Sequence, residues 1–157
     1  MTSQSVTVER RIAVPRETVW AALTDLVGME RVLSGVTKVE VLSDGAFGVG
    51  TRWRETRRMF GKDATEEMWV TRCEAPEGYV VEAESHGSHY VSEWELRADG
   101  PETTTVRMTF GASSTGGGIM SVLAKVMGPV GARAVRKAIE KDLDDVAAAL
   151  EGGRGKG

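Results

Sequence analysis

Apolar and polar residues alternate from Ser5 to Val14, with Val6, Val8 and Ile12 set against Thr7, Glu9 and Arg11 and only Arg10 breaking the apolar row. A period of two predicts a strand with one buried face. The period then changes. Pro15 suits the first turn of a helix, where its missing N–H is not needed. Glu17 follows in that turn and complements the helix dipole. Val19, Trp20 and Leu23, extended by Leu26, form one apolar face at helical spacing. Gly28 interrupts this face, and the pattern predicts a second short helix over Met29–Leu33, ended by Gly35.

From Val36 the chain reads as strands and tight turns. Val39 and Val41 mark a strand, closed by Ser43-Asp44-Gly45. Further strands are predicted over Thr51–Phe60, Glu66–Cys73, Tyr79–Ser85, His89–Leu96 and Thr103–Ala112. They are separated by Phe60-Gly61-Lys62-Asp63, Ala75-Pro76-Glu77-Gly78, His86-Gly87-Ser88 and Asp99-Gly100-Pro101. This rhythm predicts an antiparallel meander. After the polar, glycine-rich Ser113–Gly118, helical spacing returns in Leu123, Met127, Val130, Ala134, Val135, Ala138, Ile139, Leu143, Val146 and Leu150. Gly128-Pro129 should kink this helix or start a second segment. The predicted class is α+β: a curved antiparallel sheet of about six to seven strands wrapped around a long C-terminal helix, with two short helices after the first strand. One domain over residues 1–151 and a flexible charged tail over 152–157 account for the whole chain.

Composition narrows the function classes. The 157 residues are 41% hydrophobic and 27% charged, ordinary for a folded domain. The net charge of −3 argues against nucleic acid as a partner. The single cysteine, Cys73, excludes an internal disulfide and fits a reducing, cytoplasmic setting. Residues 1–11 lack the apolar core of a secretory signal. The apolar stretch 116–135 is interrupted by Lys125, Pro129 and Arg133, so no stable membrane insertion is expected. No cofactor motif stands out: Gly45-x-x-Gly48-x-Gly50 reads as a hairpin, and no Gly-Lys-Ser or Gly-Lys-Thr follows Gly116-Gly117-Gly118, which reads as a hinge or lid.

Several segments together resemble the START-like, Bet v 1-like superfamily and its bacterial polyketide cyclase/dehydrase and lipid-transport group. They are the opening Val8-Glu9-Arg10-Arg11-Ile12-Ala13-Val14-Pro15-Arg16-Glu17-Thr18-Val19-Trp20 with Leu23 and Asp25, the stretch Gly48-Val49-Gly50-Thr51-Arg52-Trp53-Arg54-Glu55-Thr56, the strand end Ala75-Pro76, and Asp142-Leu143 onward to Glu151. The resemblance covers nearly the whole chain. It implies a helix-grip fold with a cavity between sheet and long helix, of the kind that holds lipids, isoprenoids, polyketides or hormones. It carries over no catalytic residue, because that superfamily shares no single catalytic set.

Strand parity locates candidate cavity residues. In Thr51–Phe60, Trp53, Glu55, Arg57 and Met59 share the face expected to meet the helix, while Arg52, Arg54, Thr56 and Arg58 form the other. Glu55 and Arg57 then point inward, as a polar anchor for a ligand carbonyl, hydroxyl or carboxylate, or as a structural pair. Tyr79 and Val81 share a face, as do Tyr90 and Trp94, and Met108 and Phe110. Trp69 shares a parity with Glu67, Thr71 and Cys73, but Met68 and Val70 compete with it, which suggests a bulge. Met120, Leu123 and Met127 would close the cavity from the helix side. The outer arginines are expected to pair across strands with Glu66, Glu82, Glu84, Glu93 and Glu95. His86 and His89 flank a turn read as the cavity mouth, matching no metal motif, and His86 or Tyr90 could serve acid–base chemistry there.

The leading expectation is a carrier or sensor of a small hydrophobic molecule, monomeric or homodimeric, without metal or cofactor. The alternatives are an aromatase/cyclase acting on a poly-β-ketone, with Arg57 and Tyr90 polarising a carbonyl and Glu55 moving a proton, and an interaction module with a filled core. A cavity of several hundred Å3 separates the first two from the third.

Overall fold

A computed structural model describes residues 4–59, 61–85, 88–114 and 129–154. Seven strands form one antiparallel sheet: β1 Gln4–Ile12, β2 Val36–Val41, β3 Arg52–Met59, β4 Lys62–Glu74, β5 Gly78–Ser85, β6 Ser88–Gly100 and β7 Thr103–Ser114. Their spatial order is β1-β7-β6-β5-β4-β3-β2. Each strand from β2 to β6 therefore pairs with its successor, and β1 closes on β7. Helices α1 (Arg16–Leu23) and α2 (Leu26–Val32) link β1 to β2, and α3 (Pro129–Arg154) packs against the sheet's inner face. This is the helix-grip architecture.

Several boundaries move for local reasons. Pro15 caps α1 rather than occupying its first turn, with extended φ −63° and ψ 154°. Gly28 lies inside α2 and does not end a helix. Asp25 caps α2 by accepting a hydrogen bond from the Gly28 amide at 3.1 Å. A Cβ at Gly28 would stand 2.3 Å from an Asp25 carboxylate oxygen, so glycine makes room for the cap. The β3–β4 turn is tighter than expected: Met59 pairs with Lys62, and Gly61 takes φ +76°. Ser113 and Ser114 continue β7 rather than opening a loop. The glycine run 116–118 and the positions of Met120, Leu123 and Met127 fall outside the described residues. The described part of α3 starts at Pro129 and runs to Arg154, so residues 152–154 extend the helix past the expected domain limit.

The core lies between sheet and helices. Ile12, Val14, Val19, Val106 and Ala147 are fully excluded from solvent, and Val70, Leu143 and Val146 are nearly so. Burial of such side chains contributes roughly 1.5–3 kcal/mol each. The ends are tied by polar contacts. Thr104 donates to the Val14 carbonyl at 2.8 Å. The Ala13 amide donates to Glu151 at 2.8 Å, and Ser34 donates to Asp145 through both its amide and its hydroxyl.

Candidate functional site: a cavity with a charged floor

The sheet register decides which side chains meet. Trp53 of β3 stands opposite Val41 and Met68, and Glu55 opposite Val39 and Glu66. Across the sheet, Val81 faces Ser92, Ser92 faces Phe110, and Trp94 faces Met108. These positions, apart from the exposed Val41, line a cavity of about 220 Å3 together with Leu23, Leu26, Met29, Leu33, Phe47 and the α3 side chains Val135, Ala138, Ile139, Asp142 and Val146. A larger depression of about 430 Å3 is lined by Arg72, Glu74, Glu93, Glu95 and Arg107, among others. Arg72 and Arg107 are already paired, with Glu74 at 2.9 Å and with Glu9 at 3.7 Å. The cavity, with its apolar wall, is the better ligand site.

One wall is an aromatic cluster. Tyr79 packs edge-on against Trp20 and Phe47, with centroids 5.6 and 5.1 Å away, and stacks on Trp94 at 5.8 Å. Burial, reinforced by Cys73 and Glu55, drives the Tyr79 phenol far above its ordinary pKa. Tyr79 is therefore a neutral group throughout the physiological range.

The other end is charged. Arg57 donates from Nε and Nη2 to Glu55 Oε2, at 3.3 and 3.1 Å, and from Nη1 to Asp142 Oδ1 at 3.0 Å. The Trp53 indole N–H approaches Glu55 Oε1 at 3.5 Å. Glu55 and Arg57 thus form a pair with each other, and α3 adds a second carboxylate. Burial pushes the Asp142 carboxyl up, against the pull of Arg57 and with help from the nearby Glu55 charge. Arg57 is also raised: its own burial opposes the charge, but two carboxylates together outweigh that. The two directions are compatible, because Arg57 has two partners while Asp142 shares its one arginine with a competitor.

Trp53, Glu55, Arg57, Tyr79, Val81, Trp94, Met108 and Phe110 all line this cavity, as strand parity predicts. Trp69 does not. Val70 pairs with Val81 but Arg72 with Val80, so Thr71 is the extra residue of a bulge. Met68 and Val70 therefore face inward before the bulge and Cys73, opposite Tyr79, after it. Trp69 lies on the outer face under the Arg52 guanidinium, 4.9 Å from its ring centroid. Tyr90 stays on the inner side but stacks on Phe110 at 5.7 Å outside the cavity lining. Met59 ends β3, and its side chain is outside the described set, as is His86. His89 is an outer-face residue, with Nε2 2.6 Å from Glu82 and Nδ1 3.5 Å from Glu84. Hydrogen bonds from Thr71 and His89 hold the Glu82 carboxyl below its ordinary range.

The outer arginines pair as cross-strand logic requires, but with other partners: Arg52 with Glu67 at 2.5 Å, Arg54 with Glu40 at 3.2 Å and Arg58 with Asp63 at 3.6 Å. Glu66 is not among them, because it faces the cavity. Sequence reasoning missed Glu66, Asp142 and Phe47 as site residues. Among the described residues, no group of three or more His, Cys, Asp or Glu side chains could hold a metal ion, and no helix is long and apolar enough to cross a membrane.

Comparisons with known proteins agree with this fold. Among curated proteins no sequence matches the chain significantly. Many solved structures share the fold. The Zhui aromatase/cyclase from Streptomyces sp. R1128 superposes with a TM-score of 0.80 at 18% identity, over 96% of this chain and 94% of that one. A protein from Thermus thermophilus gives 0.78 at 20% identity, over 96% and 99%. Truncated norcoclaurine synthase from Thalictrum flavum gives 0.73 at 13% identity, over 95% and 94%. Likenesses at this identity establish the fold alone. The sequence itself matches the polyketide cyclase/dehydrase and lipid transport family over residues 3–151. With that match spanning nearly its whole length, the chain belongs to the polyketide cyclase/dehydrase and lipid transport family.

Proposed function

We propose that this protein binds a compact, largely apolar small molecule between its sheet and α3, as a carrier or sensor, and meets the polar end of that molecule with the Glu55–Arg57–Asp142 network. The observation that supports the reading is the cavity, apolar along Leu26, Met29, Met108 and Ile139 and charged at one end. Its 220 Å3 equals the liquid volume of about seven waters at roughly 30 Å3 each. That suits one or two fused rings rather than a long acyl chain.

A cyclase reading is favoured by one feature. Arg57 has five N–H groups and spends three on Glu55 and Asp142, so two remain to polarise a carbonyl. Native mass spectrometry of the purified protein, followed by denaturing extraction, tests the binding reading. A co-purifying apolar molecule supports it. A bare protein that gains no thermal stability from a broad apolar panel would sink both readings. Turnover of a poly-β-ketone, lost in Arg57→Met, would select the enzyme.

A further inference from the structure

We infer that the ligand of this cavity is an organic cation, a protonated amine carried on a compact ring body. The inference rests on the ligand-binding reading above and adds the sign of the ligand's charge.

The cavity lining holds one guanidinium, Arg57, against three carboxylates, Glu55, Glu66 and Asp142. Arg57 is already committed to two of them. The third, Glu66, stands directly opposite Glu55 in the β3–β4 ladder. Among the described residues it has no ion-pair partner. Like charges directly opposite on a sheet face are unfavourable, and a half-buried position screens them poorly. A positive group on the ligand would sit between these carboxylates and relieve that repulsion. An anionic ligand would add to it in a low-dielectric cleft.

The walls point the same way by an independent route. Trp53, Tyr79, Trp94, Phe47 and Phe110 all border the space. Aromatic faces attract cations, and more strongly where water is excluded. Arg57 retains two N–H groups, so a neutral acceptor could also bind. A neutral ligand of the same shape is therefore the decisive comparison.

The test uses three matched probes on the purified chain at about neutral pH: 1-naphthylmethylamine, 1-naphthalenemethanol and 1-naphthoate. Isothermal titration calorimetry reads each affinity. The expected order is amine, alcohol, naphthoate, with the amine at least about tenfold tighter than naphthoate. Glu66→Gln should shrink the amine-to-alcohol ratio by about threefold or more. If alcohol or naphthoate binds as tightly as the amine, the charge inference is wrong and the ligand-binding reading survives. If none of the three binds at millimolar concentration, both fail. A Glu66→Gln variant with an unchanged ratio would also overturn the charge assignment. The wild-type series needs no variant to fold.

Discussion

Arg57→Met isolates the charged floor of the cavity. Methionine keeps much of the apolar stem but removes the guanidinium, leaving Glu55 and Asp142 facing each other without the cation that joins them. Removing one partner of a buried ion pair costs about 3–5 kcal/mol, chiefly because the remaining charge is left unpaired. The three side chains keep 13–21% exposure, so the lower end, about 3 kcal/mol, is expected at neutral pH. For a domain of this size that corresponds to a fall in Tm of about 6–12 °C. The loss should depend on pH. Burial already holds the folded-state pKa of Asp142 above its ordinary 3.8. For such a group the folded state binds more protons than the unfolded state, so stability falls as pH rises from the unfolded value through the folded one. Without Arg57 to oppose it, that folded value climbs further. The penalty is then full above it and disappears as Asp142 takes up its proton. Urea unfolding followed by tryptophan fluorescence should give a difference of about 3 kcal/mol near pH 7.5, shrinking as the pH falls and Asp142 takes up its proton. A loss that stays the same as the pH falls would refute the electrostatic account and reduce Arg57 to a packing residue. The variant Glu55→Gln/Arg57→Met/Asp142→Asn, with no charge left to strand, should recover to within about 1 kcal/mol of wild type.

Two further changes probe the frame around the cavity. Thr104→Val keeps the shape of a fully buried side chain but removes the donor to the Val14 carbonyl, and should lower the unfolding free energy by about 1–3 kcal/mol in the same urea assay. Gly78→Ala places a Cβ 2.4 Å from the Trp94 carbonyl oxygen, so β5 and β6 must part; a thermal melt should show a loss of about 1–3 kcal/mol, with altered near-UV circular dichroism as Tyr79 and Trp94 separate.

Much of this site is legible in the sequence because a strand has a strict period of two. Once Trp53 is placed inside, Glu55 and Arg57 follow, however unusual charges are there, and the structure joins all three in one hydrogen-bonded group. In β4 the same rule is ambiguous. Trp69 and Met68 compete for the inner face, and only the position of the bulge, at Thr71, decides between them. Sequence shows that such a competition exists but not where the extra residue falls. With Met68 inside, Glu66 must be inside as well, so one misread parity hid a cavity carboxylate. Phe47 carries no periodic signal at all, since it sits alone in a glycine-rich turn and reaches the core only by tertiary packing.

Asp142 differs from these because its signal was present. It lies three residues after Ile139 and four before Val146, both on the buried face of α3, so helical spacing puts it on that face. Its neighbours Asp144 and Asp145 make the stretch resemble a solvated acidic run. Asp145 is largely buried, held by Lys141 and by the Ser34 amide and hydroxyl, whereas Asp144 does satisfy that description beside Arg10. Asp142 does not, because Arg57 from β3 reaches it across the cavity. A carboxylate on an apolar helical face and an arginine on an apolar strand face each violate their local pattern. Their partnership accounts for both exceptions together. Local pattern and global fold tend to disagree at functional positions. In this chain those exceptions converge on one end of one cavity.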